Sequence, residues 1–190
     1  LMRFFSQKAN DASVKLAAER GTFPNYQRSI YAQKNGPGFR NATRTTIAPT
    51  GTISIIAHCS SGIEPLFAVA YTRHVLVEGG LPEIHPFFEE IAKKRGFYSE
   101  KLLEEISKEG SVQNIKGIPN DVKTLFITAR DVSPEQHVKI QATCQKHIDS
   151  GVSKTINFPK ESPVDDVKKA FLLAYKSGCK GITVYRDKSR

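Results

Sequence analysis

Residues 133–187, SPEQHVKIQATCQKHIDSGVSKTINFPKESPVDDVKKAFLLAYKSGCKGITVYRD, contain the pattern that indicates the fold class. Ser133, Pro134 and Gln136 are typical of a helix start, and the predicted helix runs to about Asp149. Three more elements follow: a strand over 152–157 (VSKTIN), a helix that starts at Ser162–Pro163 and ends at Gly178, and a strand over 181–185 (GITVY). Helices that alternate with strands through short links are typical of parallel α/β architecture.

Polar residues stand where both predicted strands end. Asn157 closes VSKTIN, and Arg186 follows GITVY. Because ligands of parallel sheets bind at the carboxyl ends of the strands, both side chains are candidates for supporting contacts with a ligand. Ordinary strand-end polarity is the alternative for each.

Upstream, residues 40–65, RNATRTTIAPTGTISIIAHCSSGIEP, contain a loop rich in hydroxyl groups. A β-prone run, Thr45–Ile47, enters a turn, and an apolar run, Ile53–Ala57, leaves it. Gly51 lets a ligand approach the backbone closely because it has no Cβ. The hydroxyl groups near this glycine belong to Thr50, Thr52 and Ser54. Together with the free N–H groups of a following helical turn they would favour a phosphate or diphosphate, and an ordinary capped turn is the alternative.

The other segments are predicted to be mainly helical. Residues 3–20 form a helix with an apolar stripe of Phe5, Ala9, Ala12 and Leu16, residues 21–40 are loop, residues 66–77 are either strand or buried helix, and residues 84–95 and 98–109 form two amphipathic helices that end at Gly96 and Gly110. In the first of this pair, the residues on one face are Ile84, Phe87, Phe88 and Ile91. The last predicted helix would bury Val164, Val167, Phe171, Ala174 and Tyr175.

Composition excludes several classes of protein. The 190 residues carry 28 basic and 19 acidic side chains, a net charge of +9, with 39% hydrophobic and 25% charged residues. This excess favours anionic partners such as nucleotides. The basic residues are scattered without interleaved aromatics, so nucleic acid is not the expected partner. No apolar run is long enough to span a membrane, and the N-terminus lacks the layout of a signal peptide.

Cysteine and histidine residues do not indicate a metal site. Cys59, Cys144 and Cys179 are widely spaced, with no CxxC or Cys/His ligand spacing, and we expect buried, inert thiols in a reducing, cytoplasmic setting. Near the hydroxyl-rich loop, His58 and Glu64 are weaker candidates for supporting contacts, and a plain surface, core or capping role is the alternative for each.

Three separated stretches go beyond general pattern. APTGTIS with the downstream SSGIEP, then SKTIN, then GCKGITVYRD resemble the carboxyl-terminal half of the ribonucleotide reductase large-subunit barrel, over about Arg40 to Arg190. The likeness is greatest to the adenosylcobalamin-dependent class II enzymes. The resemblance implies a ten-stranded α/β barrel made of two half-barrels. It predicts one fragment, with a helix and loop lead-in over 1–40 and the phosphate loop and a half-barrel over 41–190.

The resemblance also implies roles for particular residues. The loop that holds the substrate's phosphates would be formed by Pro49, Thr50, Gly51, Thr52, Ile53 and Ser54. Class I enzymes carry two adjacent tyrosines in the final strand as a radical relay, and Thr183 and Val184 stand at the matching positions. This departure favours class II, whose radical is made locally from adenosylcobalamin.

A second departure limits what this chain can do by itself. The family's thiyl cysteine is flanked by Asn and Glu on a finger loop, and none of the three cysteines stands in that context. We therefore predict no catalytic residue here, and a part of a reductase that binds a ribonucleoside di- or triphosphate. The missing amino-terminal half of the barrel would be its partner, and a homodimer is the other way to cover open sheet edges. The alternatives are a non-catalytic nucleotide-binding or interaction module and, more distantly, an unrelated phosphate-binding enzyme.

Overall fold

The computed structural model describes residues 1–57, 59–73, 81–187 and 189 of the chain, so His58 and the end of the 66–77 segment lie outside the described residues. The helices in chain order are α1 (Met2–Arg20), a 3₁₀ turn (Tyr26–Arg28), α2 (Ile30–Gln33), α3 (Gly51–Ile56), α4 (Pro86–Lys94), α5 (Glu100–Glu109), α6 (Asn120–Leu125), α7 (Pro134–Gln145) and α8 (Val164–Lys176). The strands are β1 (Ala70–Arg73), β2 (Leu81–Ile84), β3 (Thr155–Phe158) and β4 (Thr183–Arg186).

β3 and β4 form a parallel pair, as the alternation of helices and strands predicts. Thr155 lies opposite Thr183, and Phe158 lies opposite Arg186. Both strands start later than the sequence pattern indicates, at Thr155 rather than 152 and at Thr183 rather than 181. The preceding backbone has other partners, since the Gly181 carbonyl accepts a hydrogen bond from a glutamine side chain of α7.

A third segment extends this parallel layer on the other side of β3. Ile47 forms a parallel bridge with Val152, in which the Ile47 amide donates to the Gly151 carbonyl at 3.2 Å and the Ser153 amide donates to the Ile47 carbonyl at 2.8 Å. Leu66 and Thr128 form a second parallel bridge. Within the described residues, the strands make two two-stranded sheets and these two bridges, and they do not close into a barrel.

α7 covers one face of the parallel layer. The hydroxyl of Ser133 accepts a hydrogen bond from the Gln136 amide at 3.2 Å, which confirms the predicted helix start. The helix ends at Gln145, before the predicted end near Asp149. Its Val138 is fully buried and packs in one cluster with Ile156 of β3.

α8 begins and ends as predicted, and the predicted buried face is correct in part: Ala174 is buried and Val167 is half-buried, whereas Val164, Phe171 and Tyr175 are exposed. The buried residues of the helix are Ala170 and Ala174, while Val164 and Tyr175 are each 83% exposed. Successive helical residues are about 100° apart, so the face that packs on β3 is rotated toward Ala170 relative to the apolar stripe read from the sequence. The two alanines lie in the buried cluster, and the partly buried Val167 and Leu173 pack against it.

α4 shows a similar discrepancy between neighbouring residues. Phe88 is fully buried at the centre of a cluster with Ile106 of α5 and Phe126, whereas Phe87 is 66% exposed. Pro86 occupies the first turn of α4, so the helix starts after Ile84 rather than at it. Ile84 belongs instead to β2, where it lies opposite Ala70 of β1 in an antiparallel pair. The undecided segment 66–77 is therefore strand over Ala70–Arg73.

The predicted helix over 3–20 is confirmed as α1, and Gly21 follows its last residue. Its one buried residue is the polar Ser13. The Ser13 hydroxyl donates to Oδ1 of Asn41 and accepts from the Asn41 amide, each at 3.1 Å. Phe5, in the predicted apolar stripe, remains 50% exposed.

Candidate functional site

The hydroxyl-rich loop leaves the parallel layer at the carboxyl end of the segment that contains Ile47. The chain turns through Ala48 and Pro49, and α3 starts at Gly51 with Thr50 at its N-cap. Sheets of this type bind ligands at that edge, so the loop has the position that a binding site requires. The amide N–H groups of Gly51, Thr52 and Ile53 lie in the first turn of α3 and have no acceptor within the described part of the chain.

The hydroxyl groups of the loop have different local partners. Oγ1 of Thr50 lies 3.1 Å from Oγ of Ser61, and the Ser54 hydroxyl donates to the Gly51 carbonyl at 2.7 Å. Ser54 is buried, whereas Thr52 and Ile53 are exposed. A Cβ added to Gly51 would meet no atom within 4 Å, so the backbone here faces open space. Thr52 and the first-turn amides are thus the groups of the loop that a ligand can reach directly.

A second segment, residues 61–64, packs against the loop at Thr50. Gly62 has φ +54, a conformation that favours glycine, and a Cβ added there would lie 3.7 Å from Oγ1 of Thr50. The Glu64 amide donates to the Ser61 carbonyl at 2.9 Å. The loop and this segment therefore form one compact unit.

Glu64 connects that unit to β3. Its Oε1 accepts a hydrogen bond from the Thr155 amide at 2.6 Å, and its Oε2 lies 2.5 Å from Nζ of Lys154. The Lys154 side chain is fully buried, while that of Glu64 is 27% exposed. Burial lowers the pKa of Lys154, and the hydrogen bond and charge of Glu64 act in the opposite direction.

The sequence analysis missed Lys154, although the alternation of VSKTIN contains a signal for it. Lys154 shares its parity along the strand with Val152 and Ile156, both of which are buried. Successive side chains point to opposite faces of a strand, so a lysine between two buried apolar residues is expected to be buried and to have a charged partner.

His137 of α7 lies near this ion pair. It is fully buried, and its Nε2 lies 2.9 Å from the Ala129 carbonyl. Because a carbonyl only accepts, Nε2 carries the proton, and Nδ1 has no partner within the described residues. Burial and then the charge of Lys154 lower the pKa of His137, although the Ala129 hydrogen bond and Glu64 oppose this. The imidazole is therefore neutral at pH 7.

The other two predicted supporting residues lie further along the strands. Asn157 lines a cleft of about 160 Å³ at the carboxyl ends of β3 and β4. An ion pair between Arg130 and Asp187, at 3.4 Å, belongs to the same edge. Arg186 is exposed and is not among the residues that line the cleft. The remaining lining residues are Phe67, Ala129, Phe158, Pro159, Lys160 and Tyr185.

The cysteines are not all buried, which corrects the expectation of three inert thiols. Cys59 is exposed, and Cys144 is buried with a pKa that burial raises. Cys179 is half-buried, and burial raises its pKa as well. Cys144 and Cys179 thus have the environment of unreactive thiols.

No group of three or more His, Cys, Asp or Glu side chains in the described ranges is arranged to hold a metal ion. No helix found in those ranges is both long and apolar enough to cross a bilayer.

These features define an α/β protein in which a hydroxyl-rich loop and a cleft occupy the carboxyl ends of parallel strands. A family model described as "Ribonucleotide reductase, barrel domain" matches residues 1–185. The chain therefore belongs to the ribonucleotide reductase barrel domain family, which confirms the resemblance identified from its motifs.

Individual relatives agree with this assignment. The vitamin B12-dependent ribonucleoside-diphosphate reductase of Thermoplasma acidophilum is 49% identical over 190 residues, which is 100% of this chain and 24% of that protein. The protein of the same name from Mycobacterium tuberculosis is 46% identical, over 100% of this chain and 27% of the relative. The solved class Id ribonucleotide reductase alpha subunit of Actinobacillus ureae superimposes with a TM-score of 0.78 at 27% identity, and the match covers 98% of this chain and 33% of that one. The chain spans about a quarter of the length of the two curated relatives.

Proposed function

We propose that this chain is part of a cobalamin-dependent ribonucleotide reductase, in which it holds the phosphates of a ribonucleoside diphosphate. The intact enzyme would replace the ribose 2′-hydroxyl with hydrogen by thiyl-radical chemistry. A diphosphate rather than a triphosphate is favoured because the relatives at 46% and 49% identity are named ribonucleoside-diphosphate reductases.

The observation that carries the proposal is the set of free donors at the start of α3. Three consecutive amides, those of Gly51, Thr52 and Ile53, have no acceptor in the described part of the chain, and the exposed Thr52 hydroxyl stands beside them. Donors in this arrangement suit phosphate oxygens. A substrate held by its remote phosphates has its ribose oriented toward the reacting groups, which is a direct contribution to catalysis.

The residues of β4 agree with a radical that is generated within the same subunit. Thr183 and Val184 occupy the strand where class I enzymes carry the tyrosine pair, and neither side chain can carry a radical from another subunit. Adenosylcobalamin would supply the initiating radical when bound. The residues of this chain bind and orient the substrate, and the catalytic cysteines would come from the remainder of the enzyme.

We further propose that the chain forms one half-barrel, which pairs with the amino-terminal half of the same enzyme. Its accessible surface is 13188 Å² for a mass of 21.1 kDa. A self-contained protein of this mass has about 9,000 Å². Ile53, Ile55 and Ile56 of α3 are between 57% and 73% exposed, which suits a surface that packs against a further part of the polypeptide.

The test is a calorimetric titration of the intact reductase with a nucleoside diphosphate and with the matching nucleoside. Thr52→Val removes the exposed hydroxyl at constant shape, and we expect the diphosphate Kd to rise about fivefold to tenfold while nucleoside binding is unchanged. Thr143→Val, which removes an exposed hydroxyl bonded only to the Lys139 carbonyl of α7, is the matched control. Equal affinities of the wild-type enzyme for the two ligands would contradict the phosphate assignment.

A further inference from the structure

A single carboxylate connects residues 61–64, which contact the phosphate loop, to the parallel layer. Glu64 places Oε1 on the Thr155 amide at 2.6 Å and Oε2 on the Lys154 ammonium at 2.5 Å. Both oxygens are therefore engaged within the protein. Glu64 is in this geometry a structural acceptor rather than a group that contacts an anionic substrate, which its negative charge would repel.

Lys154 cannot contact a substrate either. Its side chain is fully buried, and its Nζ donates to Oε2 of Glu64 and to the Thr155 carbonyl, both at 2.5 Å. A lysine close to a phosphate loop would be expected to bind phosphate directly. Burial of the Lys154 side chain excludes that role in this structure. Lys154 instead forms an ion pair with Glu64.

The contacts continue from Glu64 to the loop itself. The Glu64 amide donates to the Ser61 carbonyl at 2.9 Å, and the Ser61 hydroxyl lies 3.1 Å from that of Thr50. Thr50 is the N-cap residue that immediately precedes the free amides of α3. A continuous series of hydrogen bonds thus runs from β3 through residues 61–64 to the start of α3.

We propose that Glu64 and Lys154 are positioning residues. They fix the start of α3 relative to β3, so that the first-turn amides of α3 can bind the substrate's phosphates. This inference rests on the proposed function of the loop. Lys154 compensates the charge of Glu64, so that an acidic side chain can support a site for an anion. The pair acts as a unit, because removal of either partner leaves the other without its compensating charge.

The test compares Glu64→Gln, Lys154→Met and the double variant in the intact reductase. Calorimetry measures the Kd of a nucleoside diphosphate and of the matching nucleoside, and hydrogen exchange measures the amides of residues 48–57. We expect each single variant to raise the diphosphate Kd about tenfold or more, with nucleoside binding unchanged and faster exchange in residues 48–57. The double variant should bind the diphosphate no more weakly than the weaker-binding of the two single variants, because both changes break the same connection.

The matched control is the exposed ion pair between Arg95 and Asp121, at 2.7 Å, where Asp121→Asn should change neither quantity. Losses that add in the double variant, or equal losses for nucleoside and diphosphate, would overturn the positioning role. Unchanged exchange over residues 48–57 in both single variants would overturn it whatever the ligand data show. Absence of any phosphate dependence in the wild-type enzyme, together with faster exchange in the variants, would instead reject the proposed function and support the connection.

Discussion

Arg44 and Asp149 join the segment that enters the hydroxyl-rich loop to the turn after α7 through two hydrogen bonds. The Arg44 amide donates to Oδ2 of Asp149 at 2.9 Å, and its Nη2 donates to Oδ1 at 3.1 Å. Nε lies 3.0 Å from Oδ2 but is not aligned for a hydrogen bond. The guanidinium carbon is 4.1 Å from the centroid of the Phe39 ring, and the arginine side chain is only 5% exposed.

Arg44→Met should therefore destabilise the protein although it keeps most of the side-chain volume. It leaves the partly buried Asp149 carboxylate without its charged partner, and we expect a loss of about 3 kcal/mol in the free energy of unfolding. Thermal unfolding of the intact reductase measures the effect as a lower midpoint. Arg95→Met, at an exposed ion pair, is the control and should change the midpoint little. Equal shifts for the two variants would contradict the importance of burial.

Phe87 and Phe88 provide a second comparison between neighbouring residues. Phe88 is fully buried in the cluster of α4, α5 and α6, so Phe88→Ala should cost about 3–5 kcal/mol of stability. Phe87→Ala should cost less than about 0.5 kcal/mol, because this ring is 66% exposed. Denaturant unfolding of both variants measures these changes in the free energy of unfolding. A large loss for Phe87→Ala would show that another part of the intact enzyme covers this ring.

His137 should make stability depend on pH in a defined direction. Burial lowers its pKa from the ordinary value of 6.5, so below pH 6.5 the unfolded chain binds more protons than the folded chain. Its contribution is thus fully present above pH 6.5 and is lost as the pH falls from there through the lower, folded-state pKa. The unfolding midpoint of His137→Gln, measured between pH 7.5 and 5, should fall less steeply than that of the wild type. Parallel curves would contradict a buried neutral imidazole.

The three thiols should react at different rates with iodoacetamide at pH 8. Cys59 is exposed, whereas burial raises the pKa of Cys144 and Cys179 and lowers their thiolate fraction. We expect Cys59 to be alkylated at least about tenfold faster, as followed by peptide mass spectrometry. Cys59→Ser should remove the fast phase. A fast phase that persists in that variant would contradict the assignment.

Local signals in the sequence predicted the elements of the parallel layer well. The capped start of α7 at Ser133, the strands in VSKTIN and GITVY, and the glycine after α1 are all present, because caps, alternation and helix stops act over a few residues. The faces of the helices were harder. The predicted buried stripe of α8 is correct at Ala174 and wrong at Phe171 and Tyr175, and the buried Ala170 lies outside it.

That error has a physical cause in what a hydrophobic stripe reports. A hydrophobic stripe indicates that a helix face is covered, but it does not indicate what covers it. The apolar side chains of Phe171 and Tyr175 therefore gave the same signal in the sequence as the buried residues of α8. The ion pair of Glu64 and Lys154 was not predicted for a different reason. It joins residues that are 90 positions apart, which no short-range pattern reports.

The amide of Thr155 is bonded to a side chain on the edge of β3 where Val152 is bridged to another stretch of main chain. On this edge, Val152 pairs with the main chain of Ile47, and three residues further along Thr155 bonds to the carboxylate of Glu64. The hydroxyl-rich loop is consequently anchored to the strand of Thr155 twice, once through the main chain of Ile47 and once through the side chain of Glu64.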